Sequence, residues 1–211
     1  MSGNRLPGRL AAAILIGGVA GSAAAADLMP GPYLKTYAAY SESDITFRTD
    51  DGASRDFAPD GGAFGAALGY LAPLGHGAFG VELFYGADDA RSSDPLVAGQ
   101  SEASSARRIF QGDHSFGASA RLGGFVARKI LVYAIGGWQW YRLENTVIGA
   151  DGGRTTRGRT YNGPSAGAGL AVPFYSNRLS FRLEATRSFL EDREGVDPEQ
   201  DLYSLGLAWS F

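Results

Sequence analysis

The feature that most constrains this chain is a period-two alternation that recurs from Tyr33 to the C-terminus. Successive side chains of a strand point to opposite faces, so alternation of this kind marks β-structure with two unlike sides. The last nine residues show it best: Tyr203, Leu205, Leu207, Trp209 and Phe211 share one face, and Ser204, Gly206, Ala208 and Ser210 share the other. Phe79, Val81, Leu83 and Tyr85 likewise oppose Gly80, Glu82, Phe84 and Gly86. Phe116, Ala118, Ala120 and Leu122 oppose Ser115, Gly117, Ser119 and Arg121, and Leu179, Phe181, Leu183 and Ala185 oppose Ser180, Arg182, Glu184 and Thr186. Eight strands follow from the pattern, at residues 33–41, 63–71, 78–87, 114–126, 130–144, 164–172, 178–188 and 202–211. The fifth has bulk on both sides; Val132, Ala134, Trp138 and Trp140 are assigned to its apolar face.

The weaker face decides what surrounds the sheet. A soluble sheet would show Lys, Glu, Thr and Asn to water, whereas here that face is mostly Gly, Ala and Ser. Glycine contributes 31 of the 211 residues, and only 19% of the chain is charged. Small residues suit the inside of a narrow eight-stranded barrel, where side chains only just fit. The bulky apolar residues then face lipid. A strand of about ten residues rises roughly 33 Å and, tilted by about 45°, covers about 23 Å, close to the apolar band of a membrane barrel. The expected fold is therefore all-β: an eight-stranded antiparallel up-and-down transmembrane β-barrel. An open sheet cannot span lipid, because its edge groups would be unpaired, so the first strand should pair with the last.

The connections agree. Residues 72–77, 127–129 and 173–177 are short turns, and 42–62, 88–113, 145–163 and 189–201 are long, polar and rich in Asp, Arg, Ser and Gly. Short and long connections alternate, which places every long one at the same end. That is the layout of outer-membrane barrels, with short periplasmic turns and long extracellular loops.

Residues 1–26 read as a cleavable signal peptide: Arg5 and Arg9, then the apolar run from Leu10 to Ala20, then Ala24, Ala25 and Ala26 before Asp27. The barrel domain is then 27–211. The apolar run is too short and too rich in Gly to be a spanning helix. Removing two Arg and no acid leaves 17 basic against 22 acidic residues, so the mature chain has net charge −5 rather than −3. A nucleic-acid partner is not expected. The absence of Cys excludes a thiolate metal site, a disulfide scaffold and a Cys nucleophile.

The strand charges Lys35, Glu82, Arg121, Arg182 and Glu184 all fall on the small-residue face. An Arg or Lys on the lipid face would cost about 2–4 kcal/mol at mid-bilayer. A buried network of Glu82, Arg121, Arg182 and Glu184 is therefore expected in the lumen, as a plug that fills and fastens the barrel or, less simply, as a gate. Arg154, Arg157 and Arg159 form a basic cluster in the third long connection, suited to bidentate contact with lipopolysaccharide phosphates. The last connection is acidic, with Glu191, Asp192, Glu194, Asp197 and Glu199.

The stretch from Ser115 to Leu143 resembles the family of small opacity-type outer-membrane proteins, in particular the outer-membrane immunogenic proteins of alphaproteobacteria. The likeness rests on Arg121, Leu122 and Gly123, then Leu131, Tyr133, Gly136, Gly137 and Trp138, and further on Gly163, Gly167, Ala168, Gly169, Arg182 and Glu184. The family's Tyr-Arg or Arg-Tyr at the end of strand seven is replaced by Thr186 and Arg187. Leu207, Trp209 and Phe211 are similar to the C-terminal signal read by the outer-membrane assembly machinery. The resemblance implies a porin-like integral outer-membrane protein of Gram-negative cells with a role in envelope integrity. It would meet outer-membrane lipids and lipopolysaccharide, and host or environmental ligands through its loops.

No cofactor, metal site or catalytic residue is expected. Only two histidines exist, His76 in a short turn and His114 beside Ser115. Adjacent strand residues point apart, so His114 and Ser115 should not meet, and the His-x-Ser of barrel-type lipid A deacylases is absent. Two alternatives stay open: a small nonspecific diffusion pore, and a lipid A-modifying enzyme.

Overall fold

The computed structural model describes residues 30–48, 54–95, 107–126, 129–149, 152–175, 178–191 and 196–211. The expected signal peptide at 1–26 lies outside them, as do Asp192 and Glu194 of the acidic connection. The described residues form ten strands: β1 (Gly31–Arg48), β2 (Ser54–Phe57), β3 (Asp60–Leu74), β4 (Gly77–Asp88), β5 (Arg91–Pro95), β6 (Arg107–Val126), β7 (Ile130–Ile148), β8 (Arg154–Phe174), β9 (Leu179–Phe189) and β10 (Val196–Ser210).

Eight of them make an antiparallel barrel in the order β1-β3-β4-β6-β7-β8-β9-β10. Closure is between β1 and β10, where Tyr33 pairs with Ser210 and the register runs unbroken to Phe47 and Val196. The two short strands extend the wall at the end of the long connections, β2 against β1 and β5 against β6. At the other end β3 and β4 are joined by a two-residue turn, where Gly75 takes a φ of +56° that a residue with a Cβ rarely adopts.

The two faces of the wall are those of the sequence pattern. Leu83 is 66% exposed and Trp209 52%, with Leu68, Phe79, Tyr85, Phe116, Leu122, Trp138, Leu183, Tyr203 and Leu205 exposed beside them. Lys35, Glu82, Arg121, Arg182 and Glu184 are all buried inside. Rings gather near both margins of the outer apolar band, with Phe116 stacked on Trp140 at 5.2 Å between centroids and Phe174 on Phe181 at 4.3 Å. Such aromatic belts sit where hydrocarbon meets headgroups. On β7, Val132 and Trp138 face out while Leu131, Tyr133 and Ile135 are buried, so the bulk on its second side fills the lumen.

One expectation is corrected. The four long connections are not loops throughout. β1 runs to Arg48, β7 to Ile148, β8 begins at Arg154 and β10 at Val196, while β2 and β5 lie wholly inside stretches read as loops. The ladder continues above the apolar band, where the outer face meets water instead of lipid. With no lipid side to select large apolar residues, the backbone stays extended while the alternation fades.

Replacing Leu83 by Arg puts a charge on the lipid side of β4, opposite Leu68 and Ala118. Urea unfolding from phospholipid vesicles should show a loss of about 2–4 kcal/mol.

Candidate functional site

The narrow lumen is filled in four levels. The lowest is apolar: Tyr33, Leu71, Ala78, Leu131, Tyr133, Ile135, Ala171 and Ala208, with Phe125 against them. Above it lies an ionic level. Lys35 Nζ bridges Glu82 Oε1 at 2.9 Å and Glu184 Oε2 at 2.8 Å. From the other side Arg121 Nη2 reaches Glu82 Oε1 at 2.6 Å and Glu184 Oε1 at 3.2 Å. Two carboxylates and two cations thus close a ring. Tyr33 OH donates to Glu82 Oε2 at 2.9 Å, Tyr133 OH to Glu184 Oε1 at 2.8 Å, and Arg121 Nη1 to Ser119 Oγ at 2.9 Å.

Arg182 sits at the margin of this ring. Its Nη1 is 3.6 Å from Glu82 Oε2, beyond hydrogen-bonding distance, and its guanidinium lies 4.0 Å from the centroid of the Tyr33 ring. Its Nε has no hydrogen-bond partner in the protein. Of the four residues expected to meet, Glu82, Arg121 and Glu184 form the centre and Arg182 packs against its edge. Lys35 joins the centre, although the sequence reading had only placed it on the inward face.

The small residues create this room. Glu82 pairs in register with Gly69 and Ser119, and Glu184 with Gly169 and Ser204. A Cβ on Gly69 would overlap the Tyr33 ring, and one on Gly169 would lie 2.8 Å from the Tyr133 ring and 2.9 Å from Glu184 Cγ. Each glycine is the floor on which a tyrosine or a carboxylate of a neighbouring strand lies.

The third level centres on Asp88, buried at the end of β4 away from the short turn. Its Oδ2 accepts from Ser41 Oγ at 2.8 Å and Gln200 Nε2 at 2.9 Å, and its Oδ1 from the Ala90 amide at 2.8 Å. Gln200 Oε1 accepts from Gln139 Nε2 at 2.6 Å, and Ser188 Oγ donates to Gln139 Oε1 at 3.1 Å. Between the two polar levels is a cavity of about 50 Å³, lined by Lys35, Glu82, Arg121 and Glu184 on one side and Gln139 on another. It has room for a few water molecules. A second apolar cluster of Ile45, Phe110, Tyr141, Leu143, Tyr161 and Leu190 closes the lumen above.

The other expected residues lie on the wall. Leu207, Trp209 and Phe211 are exposed on the outer face, and the rings of the last two stack at 5.7 Å. Arg154, Arg157 and Arg159 belong to β8, not to a loop, and the pleat turns Arg154 to one face and the other two to the opposite one. His114 Nδ1 is 3.0 Å from Asp113 Oδ2 and its ring stacks on Tyr85. Among the described residues no three His, Asp or Glu side chains are placed to hold a metal ion.

Breaking a buried pair by removing one partner strands the other charge, at a cost of about 3–5 kcal/mol. Glu82→Gln leaves Lys35, Arg121 and Arg182 against Glu184 alone. Guanidinium unfolding in detergent should show a loss of that size, whereas Glu42→Gln on the outer rim should change stability by less than about 0.5 kcal/mol.

The fold agrees with comparisons to known proteins. No curated protein sequence matches the chain. Neisserial surface protein A superposes with a TM-score of 0.52 at 14% identity, over 86% of this chain and 97% of that one. The outer membrane protein OprG of Pseudomonas aeruginosa superposes with a TM-score of 0.50 at 12% identity, over 89% of this chain and 99% of that one. Residues 11–211 match the family model described as the outer membrane protein beta-barrel domain. With its closed wall, lipid-facing belt and plugged lumen, this chain belongs to the outer-membrane β-barrel domain family and is an integral protein of the Gram-negative outer membrane.

Proposed function

We propose that the protein is a non-enzymatic, non-conducting barrel that supports the outer membrane and carries an interaction surface outside it. The observation that supports this most is the filling of the lumen, two polar levels held between two apolar clusters. Solute passage would require breaking the ring of Lys35, Glu82, Arg121 and Glu184 and displacing the Tyr141–Tyr161 cluster as well. Among the described residues the diffusion-pore alternative has no continuous path to use. The enzyme alternative needs a nucleophile and a base in reach of each other; His114 instead engages Asp113 and Tyr85.

In this reading the partners are lipid and lipopolysaccharide around the wall and host or environmental ligands at the extracellular end. Arg154, on the outward side of β8, is the arginine of its cluster best directed at lipopolysaccharide phosphates. The assembly machinery would read Leu207, Trp209 and Phe211 before the barrel closes, and residues 1–26 would direct export.

In planar bilayers the purified barrel should give no steady conductance, and protease added to whole cells should cut it in the segments joining the long strands. Steady ohmic steps would favour the pore. An altered lipid A mass spectrum in a deletion strain would favour the enzyme.

A further inference from the structure

The two margins of the lipid-facing wall differ in charge. At the periplasmic end, residues 72–77, 127–129 and 173–178 hold Arg128, Lys129 and Arg178 and no Asp or Glu. At the opposite margin Glu42 pairs in register with Asp201 and Asp44 with Glu199, all on the outward side of β1 and β10. Arg187 stands beside them but is engaged by Asp201, whose Oδ1 accepts from its Nε at 2.7 Å. An anionic headgroup there would meet acids, whereas at the periplasmic margin it would meet cations.

The fold fixes the depth of those cations. The Arg178 N–H donates to the Tyr175 carbonyl at 3.3 Å, and its carbonyl accepts the Ser210 N–H at 2.8 Å, so the residue is held where β8 turns into β9. The next residue, Leu179, pairs with Phe174 on one side and Trp209 on the other. Phe174 stacks on Phe181 and Trp209 on Phe211, so Arg178 leaves the wall between two ring stacks. Lys129 precedes β7 on the far side of the β8 end, two strand spacings or about 10 Å away. Both cations are exposed.

Such rings lie where hydrocarbon meets headgroups. A strand tilted by about 45° descends only about 2.3 Å per residue, and the headgroup layer on each side of the hydrocarbon is about 5–8 Å deep. One residue beyond the rings, Arg178 is still inside that layer. A soluble periplasmic partner lies past it, and a phospholipid headgroup lies within it. The guanidinium fork suits phosphate, and Lys adds a point charge. A zwitterionic headgroup also brings an ammonium, for which these turns offer no acid. We propose that Arg178 and Lys129 bind the headgroup of an anionic phospholipid of the periplasmic leaflet, its acyl chains lying against the Phe174–Phe181 and Trp209–Phe211 rings. The proposal rests on the reading of lipid as the partner around the wall and names the lipid class.

The test uses the full mature chain in phosphatidylcholine vesicles, its folding checked by the heat-dependent shift on an unheated gel. Trp138→Phe/Trp140→Phe leaves Trp209, at the Arg178 margin, as the remaining tryptophan. Brominated phosphatidylglycerol or brominated phosphatidylcholine is added as a minor component, and quenching of Trp209 reads the relative affinity. Phosphatidylglycerol should be preferred by about fivefold or more, and less so at high salt. Lys129→Gln/Arg178→Gln should abolish the preference, and Arg91→Gln, at the other end, should leave it unchanged. Inorganic phosphate at matched ionic strength should not remove it, since a free anion brings no acyl chain to the rings. Equal quenching by the two lipids, an undiminished preference in the double variant, or loss of the preference to inorganic phosphate overturns the proposal. Equal and strong quenching removes only the choice of headgroup and leaves lipid as the partner of the wall; no quenching by either lipid takes Trp209 out of lipid, and that reading falls too.

Discussion

Closure of the ladder between β1 and β10 is the constraint from which the rest follows. In hydrocarbon no water is present to satisfy a free N–H or C=O, so the wall must pair with itself all the way round. Eight strands close around a lumen barely wider than the side chains that fill it. That width explains the composition. Glycine is spent on space: Gly69 under Tyr33 and Gly169 under Tyr133 are places where any larger residue would displace a ring of the neighbouring strand. The same closure turns the bulky residues outward, where lipid accepts Leu68, Leu83 and Leu205 at no cost in exposed apolar surface.

The polar filling has its own balance. The ionic level alone carries three cations, Lys35, Arg121 and Arg182, against two carboxylates. Asp88, one level above, brings the buried charges among the described residues to three of each sign. Buried ion pairs are poor sources of net stability, because desolvation offsets their attraction. Their value here is positional. Each carboxylate takes partners from different strands, Glu82 on β4 from β1 and β6, and Glu184 on β9 from β1 and β6. A strand displaced by one residue would turn its charge into lipid, so the level acts against register errors more than it adds to the depth of the native well.

Much of this was legible in the chain, and the gaps have physical causes. The two faces of β4, β6, β9 and β10 within the membrane were readable because lipid and lumen demand opposite residue sizes. Asp88 escapes the sequence reading because the third expected strand, 78–87, stops one residue short of it; continuing the series Glu82, Phe84, Gly86 reaches it. Phe110 was missed for another reason. The register of β6 shifts between Gly112 and His114, so the inward parity of Ser119 and Arg121 changes sign above that point. Phe110 is buried and Phe116 exposed, although both are even-numbered. Gln139 and Gln200 gave no signal, since a neutral amide on a strand has no preferred medium until its partners are known. The central place of Lys35 depends on how four strands stand around the axis, which alternation within single strands does not contain.

The same alternation explains why the extracellular end differs in kind from the membrane end. Inside the bilayer a free edge is forbidden, and every strand is paired on both sides. Above it water can satisfy backbone groups, so the requirement lapses and strands end independently. β7 and β8 continue together to Ile148 and Arg154, while the β8–β9 ladder ends at Ser165 and Ser188. Among the described residues the outer part of the molecule therefore includes sheet that is paired on one side only. A flexible loop must be ordered when it binds, and that ordering opposes affinity. A sheet edge already extended by β7 has been ordered by the fold itself, and the barrel anchored in lipid fixes its position at the cell surface.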